Sequence, residues 1–197
     1  MSKYLPTPET LRKLLRYEPE TGLLFWRERS AEWFKDGSQT SLHNSAAWNG
    51  RYSNKEAFTS NHSSGYKHGQ IFKKQHKAHR IAWALYYGVW PSNNIDHING
   101  VRDDNRIENL RDVSMSQNSR NSAMSSNNTS GVCGVHLDKR CNKWVARIAL
   151  GKNRKRLGSF ENIQDAAAAR KTAEIEHGFT ERHGKPSITP ETPPRRT

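Results

Sequence analysis

A run of serine and asparagine divides this chain and limits what it can fold into. Residues 119–130 read SRNSAMSSNNTS, with one charge and without an aromatic side chain. A segment this poor in apolar groups buries too little surface to offset the entropy lost when it is ordered. We therefore expect a flexible linker, placed at residues 125–130, with small modules folding separately on either side of it.

The apolar content sets the size of those modules. Hydrophobic residues make up 33 % of 197 residues and the mean hydropathy is −0.98, which predicts one to three small domains. Two cysteines cannot build a disulfide scaffold, which favours a reducing, cytoplasmic location. Since a membrane helix needs about 18 or more consecutive apolar residues, we expect a protein without a membrane partner.

The charge balance points to a polyanion. The chain carries 32 Lys and Arg against 19 Asp and Glu, a formal net charge of +13. Such a balance favours nucleic acid as the partner. Charge alone would also suit a ribosome-like protein or a merely soluble basic one.

The first 60 residues have the pattern of a support region. Thr7-Pro8-Glu9 predicts a capped helix start, and Glu18-Pro19 predicts its end. A short apolar strand, Leu23–Trp26, follows. Residues 30–60 lack a clear period and are predicted to be loop. A role in lengthening a DNA footprint is the weaker alternative to packing support.

An Asp-His pair stands out after residue 90. Asp96 is a hard oxygen donor of the kind Mg²⁺ prefers, and His97 can exchange a proton near neutral pH. The Asn99-Gly100 dipeptide that follows predicts a turn. On its own, the pair could simply be a strand end at which the His is hydrogen-bonded to the Asp.

Two later asparagines complete a known motif. Asp96-His97, Asn109 and Asn118 occur in order, preceded by His79-Arg80-Ile81-Ala82-Trp83 and accompanied by DNRIENLR at 104–111. This arrangement resembles the HNH endonuclease motif, in the variety found in phage and intron-borne homing endonucleases. The resemblance implies a ββα-metal fold at residues 61–124, and the cytoplasm of a bacterial or phage-infected cell.

The resemblance also implies a role for each residue. His97 would be the general base, Asn109 would orient it, and Asp96 and Asn118 would hold Mg²⁺ or Mn²⁺. A Ser114-x-x-Gln117 capping box predicts a short helix carrying Asn118. Four arginines flank the motif and would contact phosphates: Arg80, Arg102, Arg106 and Arg111. Alternatively they could form ion pairs, as Arg106 could with Glu108 and Arg111 with Asp112.

Three histidines before the Asp-His pair do not suggest a metal site. A predicted strand pair at 65–78, rich in Lys and His, contains His68 and His76, and His79 follows it directly. The spacing of these three histidines matches no compact zinc pattern. We expect surface or phosphate-facing side chains, with His79 a packed structural residue at the start of a helix that ends near Gly88.

The chain after the linker predicts three strands and a helix. The strand-like runs are 134–137, Lys143–Leu150 and 155–160, and the helix runs from the cap Asn162 to Gly178. In the middle strand, strict alternation places Trp144 and Ile148 on one face and Arg147 on the other.

This order resembles the ethylene-response-factor (APETALA-type) DNA-binding domain, here at residues 131–180. The resemblance implies a DNA face formed by His136, Arg147, Arg154 and Arg156, although the arginines at 147 and 156 depart from the plant pattern. A basic solvated sheet is the alternative. Residues 181–197, rich in Pro and Thr, are predicted to be a disordered tail.

Together these patterns predict an α+β protein, a ββα-metal core and a three-stranded antiparallel sheet packed on a helix. The predicted function is metal-dependent, site-specific cleavage of double-stranded DNA, with no protein partner evident and a homodimer possible on DNA. A non-catalytic DNA-binding regulator with an idle HNH fold is the alternative, and an RNA-binding protein is a weaker one.

Overall fold

The computed structural model describes residues 5–151 and 153–185, and these form two compact units. The first unit comprises 5–97 and 101–112, and the second comprises 98–100, 113–151 and 153–185. Small antiparallel sheets and five α-helices confirm the predicted mixed α+β class. Within the described residues, no helix has the length and apolar character that crossing a bilayer requires.

The first unit is built from short helices and strands. In chain order its elements are α1 (Pro8–Leu14), β1 (Leu15–Glu18), β2 (Leu23–Trp26), α2 (Ser41–Tyr52), β3 (Glu56–Ala57), β4 (Ser60–Asn61), β5 (Lys67–Ile71), β6 (Lys74–Lys77), α3 (Ala78–Tyr87), β7 (Asn94–His97) and β8 (Leu110–Val113). The strands form three small sheets, with strand orders β1-β2-β3, β4-β5-β6 and β7-β8. Short 3-10 turns occupy Ala31–Trp33 and Ile107–Asn109.

Helix α1 begins as predicted but ends early. Its cap, Thr7, accepts the Thr10 N–H at 3.2 Å. The predicted end at Glu18-Pro19 is wrong, because the chain turns extended at Leu15 (φ −135°) and β1 pairs antiparallel with β2. Leu15 is 1 % exposed, so burial in the core outweighs continuation of the helix.

Helix α2 replaces part of the loop predicted over residues 30–60. Ser45 is its only buried residue, so there is no apolar stripe for a sequence pattern to detect. The helix is held by polar contacts, in which Ser45 Oγ and Asn49 Nδ2 donate to the Arg29 carbonyl at 2.8 and 2.9 Å, and by Trp48, which packs edge-on against Trp26. Thr40 caps its start.

The core of the first unit lies between α1, α3 and the β5–β6 hairpin. Leu11, Leu14 and Ile81 are fully buried, and Ile71 is 2 % exposed. Helix α3 follows the hairpin as predicted and ends at Gly88, whose φ of +73° is the left-handed conformation that glycine adopts readily.

The second unit confirms the predicted order of three strands and a helix. After the short α4 (Met115–Ser119) come β9 (Val135–Asp138), β10 (Lys143–Leu150), β11 (Asn153–Phe160) and α5 (Ile163–Glu176). The sheet is antiparallel with order β11-β10-β9, and α5 packs on it through a small cluster of buried Val135, Ala146 and Ala166.

The serine- and asparagine-rich stretch forms hydrogen bonds within the second unit, and its predicted role as a flexible linker stays a prediction. Backbone bonds join Arg120 to Thr180, Ser122 to Gly184 and Met124 to Lys185, at 3.0–3.3 Å. Further along, the Ser130 hydroxyl donates to the Val135 carbonyl at 2.7 Å. Polar groups of this stretch therefore form hydrogen bonds with the backbone of nearby segments, and amino-acid composition alone does not reveal these bonds. Of the predicted tail, residues 181–185 belong to this arrangement, and 186–197 lie outside the described residues.

Candidate functional site

The Asp-His pair lies at the end of a buried strand. Asp96 and His97 close β7, and they are 9 % and 3 % exposed. On the neighbouring strand β8, Arg111 donates to Asp96 Oδ2 from Nε at 2.8 Å and from Nη2 at 2.6 Å. The sequence suggested Asp112 as the partner of Arg111, but Asp112 instead accepts the backbone N–H groups of Ser92 and Asn93. The ion pair orients Asp96 and neutralises its charge locally.

His97 is held by a residue that sequence reasoning missed. Its Nε2 lies 3.2 Å from Oδ1 of Asn105, which is 2 % exposed. With this oxygen as the acceptor, the neutral ring carries its proton on Nε2 and a lone pair on Nδ1. Burial lowers the pKa of His97, and the Asn105 bond and the Asp96 charge oppose this only in part. The ring is therefore neutral at neutral pH, as a general base must be.

The N-terminal β1–β2 hairpin supports the loop that carries Asn105. Tyr17 Oη donates to the Asn105 carbonyl at 2.7 Å, and the Ile107 N–H donates to the Pro19 carbonyl at 3.1 Å. Gly22 (φ +74°) lies so close to this loop that a Cβ there would be 2.5 Å from the backbone of Asn105 and Arg106. Packing support is thus a physical role of this hairpin.

Asn109 closes the same loop from its far end. It is 5 % exposed, and its Nδ2 donates to the Asp104 carbonyl at 2.8 Å. By fixing Asp104 beside Asn105, this bond stabilises the loop that contacts His97. The predicted role of Asn109 in orienting His97 stays a prediction.

A cluster of rings packs around His97. The ring of His79 lies edge-on at 5.2 Å between centroids, and the ring of Tyr66 is 5.7 Å away. His79 is 4 % exposed, which agrees with a packed structural residue, and burial lowers its pKa to about 2. Among the described residues, there is no group of three or more His, Cys, Asp or Glu that could hold a metal ion.

The flanking arginines already form internal contacts. Arg106 donates to both carboxylate oxygens of Asp104 at 2.9 and 2.8 Å. It also lies 3.1 Å from Glu108, which is the ion pair that the sequence suggested as the alternative to a phosphate contact. Arg80 donates to the carbonyls of Pro91 and Asn93. Arg102, the most exposed of the three, donates to the Ser64 carbonyl at 2.7 Å. Their contacts with DNA stay predictions.

Asn118 lies on α4, in the second unit. The predicted capping box is present: Gln117 N–H donates to Ser114 Oγ at 3.3 Å, and the Ser114 N–H donates to Gln117 Oε1 at 3.0 Å. The Asn118 N–H donates to the Ser114 carbonyl at 2.9 Å, so the backbone of Asn118 belongs to this capped turn. Its role as a metal ligand stays a prediction.

The sheet of the second unit collects four predicted DNA contacts on one face. Arg147 is paired with Arg156, and its neighbours along that face of β10, Val145 and Ala149, are paired with His136 and Arg154. Directly paired residues share a face, and His136 and the three arginines are exposed. A register shift between Ala146 and Arg147 is what brings Arg154 and Arg156 to this side.

One segment of the chain is similar to a known protein family. Residues 76–120 match the family model described as HNH endonuclease. This HNH segment holds His79, Asp96, His97, Asn105 and Asn109, and it indicates a nuclease-type domain whose substrate is DNA. HNH nucleases generally use a divalent metal ion. The match ends before the C-terminal sheet, so the DNA-binding resemblance there stays a prediction. No curated protein and no solved structure matches the chain.

Proposed function

We propose that this protein is a divalent-metal-dependent, site-specific DNA endonuclease. The observation that carries the proposal is His97: a buried, neutral imidazole at the end of β7, held by Asn105 and lying beside Asp96 within the HNH segment. One such site hydrolyses one strand at a time. A monomer would therefore nick, and a double-strand break would need a dimer or two successive events.

His97 is the proposed general base. Its Nε2 proton is held by Asn105, so Nδ1 is the atom that takes a proton from the attacking water. Asn109 and the β1–β2 hairpin keep that loop in place. Because the ring is neutral at neutral pH, it can accept a proton without first losing one.

Asp96 and Asn118 are the proposed ligands of Mg²⁺ or Mn²⁺. A carboxylate and an amide oxygen are hard donors, which suit these ions better than zinc. When bound, the ion supplies positive charge at the scissile phosphate and the leaving 3′ oxygen. Arg111 fixes the orientation of Asp96. Since two protein donors bind such an ion weakly, we expect tight metal binding only in the presence of DNA phosphate.

The exposed face of the C-terminal sheet is the proposed targeting surface. His136, Arg147, Arg154 and Arg156 share that face. An antiparallel sheet can read base edges in the major groove, while Arg102 and Arg80 would contact phosphates near the cleavage site. Arg106 would contribute only if DNA displaced Asp104.

Cleavage of supercoiled plasmid and of host genomic DNA in Mg²⁺ or Mn²⁺ tests the proposal. We expect the wild type to nick or linearise DNA, EDTA to stop the reaction, and His97→Ala to lower the rate at least about 100-fold, as loss of a general base does. His43→Ala, which removes an exposed histidine on α2, is the matched control. Equal rates for His97→Ala and wild type would refute the assigned base.

One observation favours the alternative of an idle nuclease fold. Arg111 already occupies Asp96 Oδ2 with two hydrogen bonds, an arrangement that also suits a carboxylate used only for structure. In that case DNA would be bound but left uncut in both metals. If Asp96 is instead a metal ligand, we expect the Asp96→Asn variant to bind DNA but to need more Mg²⁺ or Mn²⁺ than wild type to reach half of its maximal cleavage rate.

A further inference from the structure

The tip of the β5–β6 hairpin has an unusual turn. Ile71 pairs with Lys74, so Phe72 and Lys73 alone connect the strands. Their φ angles are +51° and +62°. Positive φ at both central residues is the pattern of a type I′ turn, for which Asn-Gly is the favoured sequence. A bulky aromatic residue is unfavourable in this conformation.

The rest of the hairpin explains why the turn is nevertheless held. Ile71, the residue before the turn, is 2 % exposed in the core. Gly69 lies beneath Phe58, so closely that a Cβ there would be 2.9 Å from that ring. Packing at the base thus fixes the register and turns Phe72 outward, where it is 56 % exposed. Strain of this kind persists where the surroundings enforce it, and often at functional positions.

The surroundings of Phe72 combine rigid backing with positive charge. Trp33 stacks on it with centroids 6.1 Å apart and planes 17° apart, which supports one face of the ring. Lys73 and Lys74 are exposed in and next to the turn, and residues 67–77 contain no Asp or Glu. A backed aromatic ring at a basic tip is suited to a polyanion that also offers aromatic surface, which is nucleic acid.

We propose that Phe72 is a wedge that enters duplex DNA at a base step and unstacks it. The inference rests on the proposed DNA-binding function and adds a contact that deforms the duplex. The lysines attract the phosphates, the apolar side chain separates two neighbouring base pairs and contacts a base on its open face, and Trp33 keeps the ring from folding back. Apolar side chains inserted in this way unwind and kink DNA.

Unwinding of a closed plasmid measures the wedge without cleavage. The His97→Ala protein is bound to relaxed plasmid in EDTA, and a metal-independent topoisomerase then relaxes the plasmid while the protein is bound. The linking number of the plasmid is measured after the protein has been removed. We expect a decrease that grows with bound protein. Adding Phe72→Asn to the His97→Ala chain should remove most of that decrease and weaken plasmid binding at most about tenfold.

Phe72→Asn keeps every charge and suits positive φ, so its melting temperature should equal or exceed that of the parent. The slope of affinity against salt should stay unchanged. Phe72→Leu, which retains an apolar wedge, should keep the unwinding. Leu42→Asn, which removes an apolar side chain 72 % exposed on α2, is the surface control and should keep it as well.

The outcomes separate the two proposals. If the His97→Ala chain binds plasmid but leaves its linking number unchanged, or if Phe72→Asn unwinds as well as its parent, the wedge is refuted and DNA binding stands. If that chain does not bind plasmid at all, DNA binding is refuted and the wedge with it. In the first case, Phe72 and Trp33 form only a packing contact.

Discussion

His97, the proposed general base, shows how neighbouring residues set the protonation and the orientation of a single side chain. Burial lowers its pKa, Asn105 settles which nitrogen holds the proton, and His79 and Tyr66 pack against the ring. In the proposed mechanism, each neighbour would act through His97 rather than on a substrate. They would be positioning residues, and substituting them should have effects that differ from those of substituting His97 itself.

Asn105→Ala should lower kcat about 10- to 100-fold, the size of effect that loss of a supporting hydrogen bond commonly has. The physical reason is that the alanine no longer holds the proton on Nε2. Plasmid cleavage at saturating and at limiting DNA separates kcat from KM. KM should change little, because Asn105 is buried and the proposed DNA contacts are elsewhere.

Asn105→Asp is the conservative control, since it keeps an acceptor oxygen and should retain more activity than the alanine. The Tyr17 contact goes to the backbone carbonyl and survives both changes. A loss of activity in Asn105→Ala that only matches a loss of folded protein would contradict a positioning role.

His79 should make stability depend on pH. Its pKa is about 2 in the folded protein and 6.5 ordinarily, so between these values the unfolded chain binds a proton that the folded chain does not. The free energy of unfolding should therefore fall as pH drops below 6.5, by up to about 1.4 kcal/mol per unit from this group. Urea unfolding from pH 7 to 4 measures it.

His79→Phe fills the same position with a ring that cannot titrate. Its free energy of unfolding should vary less steeply with pH than that of wild type, by about one proton. Identical slopes for the two proteins would show that His79 is protonated in the fold.

At the scale of elements, the β1–β2 hairpin and the HNH segment depend on each other. The turn of the hairpin lies against the loop that holds Asn105, and Gly22 allows that approach. Residues distant in sequence thus share one packed structure, which is why the N-terminal region matters for a site that begins at Asp96.

Gly22→Ala should destabilise the protein by at least about 2 kcal/mol, since alanine is strained at φ +74° and its Cβ meets backbone. Cleavage should fall as well, because the displaced loop carries Asn105. Denaturant unfolding and plasmid cleavage measure the two effects.

Gly50→Ala is the matched control. Gly50 lies inside α2, and a Cβ there would meet nothing within 4 Å. Alanine should stabilise this helix by about 0.5–1 kcal/mol and leave cleavage unchanged. If both variants had the same free energy of unfolding, the close approach of Gly22 to the Asn105 loop would make no contribution to stability.

At the scale of the whole molecule, a net charge of +13 predicts DNA binding that weakens steeply with salt. The two units should contribute differently. The exposed face of the C-terminal sheet presents aligned arginines, whereas Arg106 in the HNH segment is paired with Asp104.

Arg147→Ala should weaken DNA binding by about 1–3 kcal/mol if Arg147 contacts a base edge, or reduce the salt slope by about one if it contacts a phosphate. Titration of labelled target DNA at several salt concentrations distinguishes these results. Lys171→Ala removes a positive charge from α5, the helix packed on the sheet, and should change neither quantity. Equal affinities for Arg147→Ala and wild type would argue against this face as the interface.

Much of the fold could be predicted because local chemistry decides it. Thr7, Ser114 and Asn162 cap helices where their sequences predict caps, and the β5–β6 hairpin and the strands of the second unit lie where expected. Helix α2 was missed because its apolar residues form no continuous buried stripe and it is held by hydrogen bonds to Arg29 and by the contact of Trp48 with Trp26.

The sequence alone establishes the order of chemical groups: a carboxylate beside an imidazole, asparagines at intervals after them, and basic strands at one end. Which of these groups meet depends on the three-dimensional packing. Arg111 reaches Asp96, and Asn105 reaches His97. The register shift after Ala146 moves Arg154 and Arg156 to the face of Arg147. The physical reason is that pairing register and loop closure depend on packing between distant segments, and strict alternation along one strand carries no information about them.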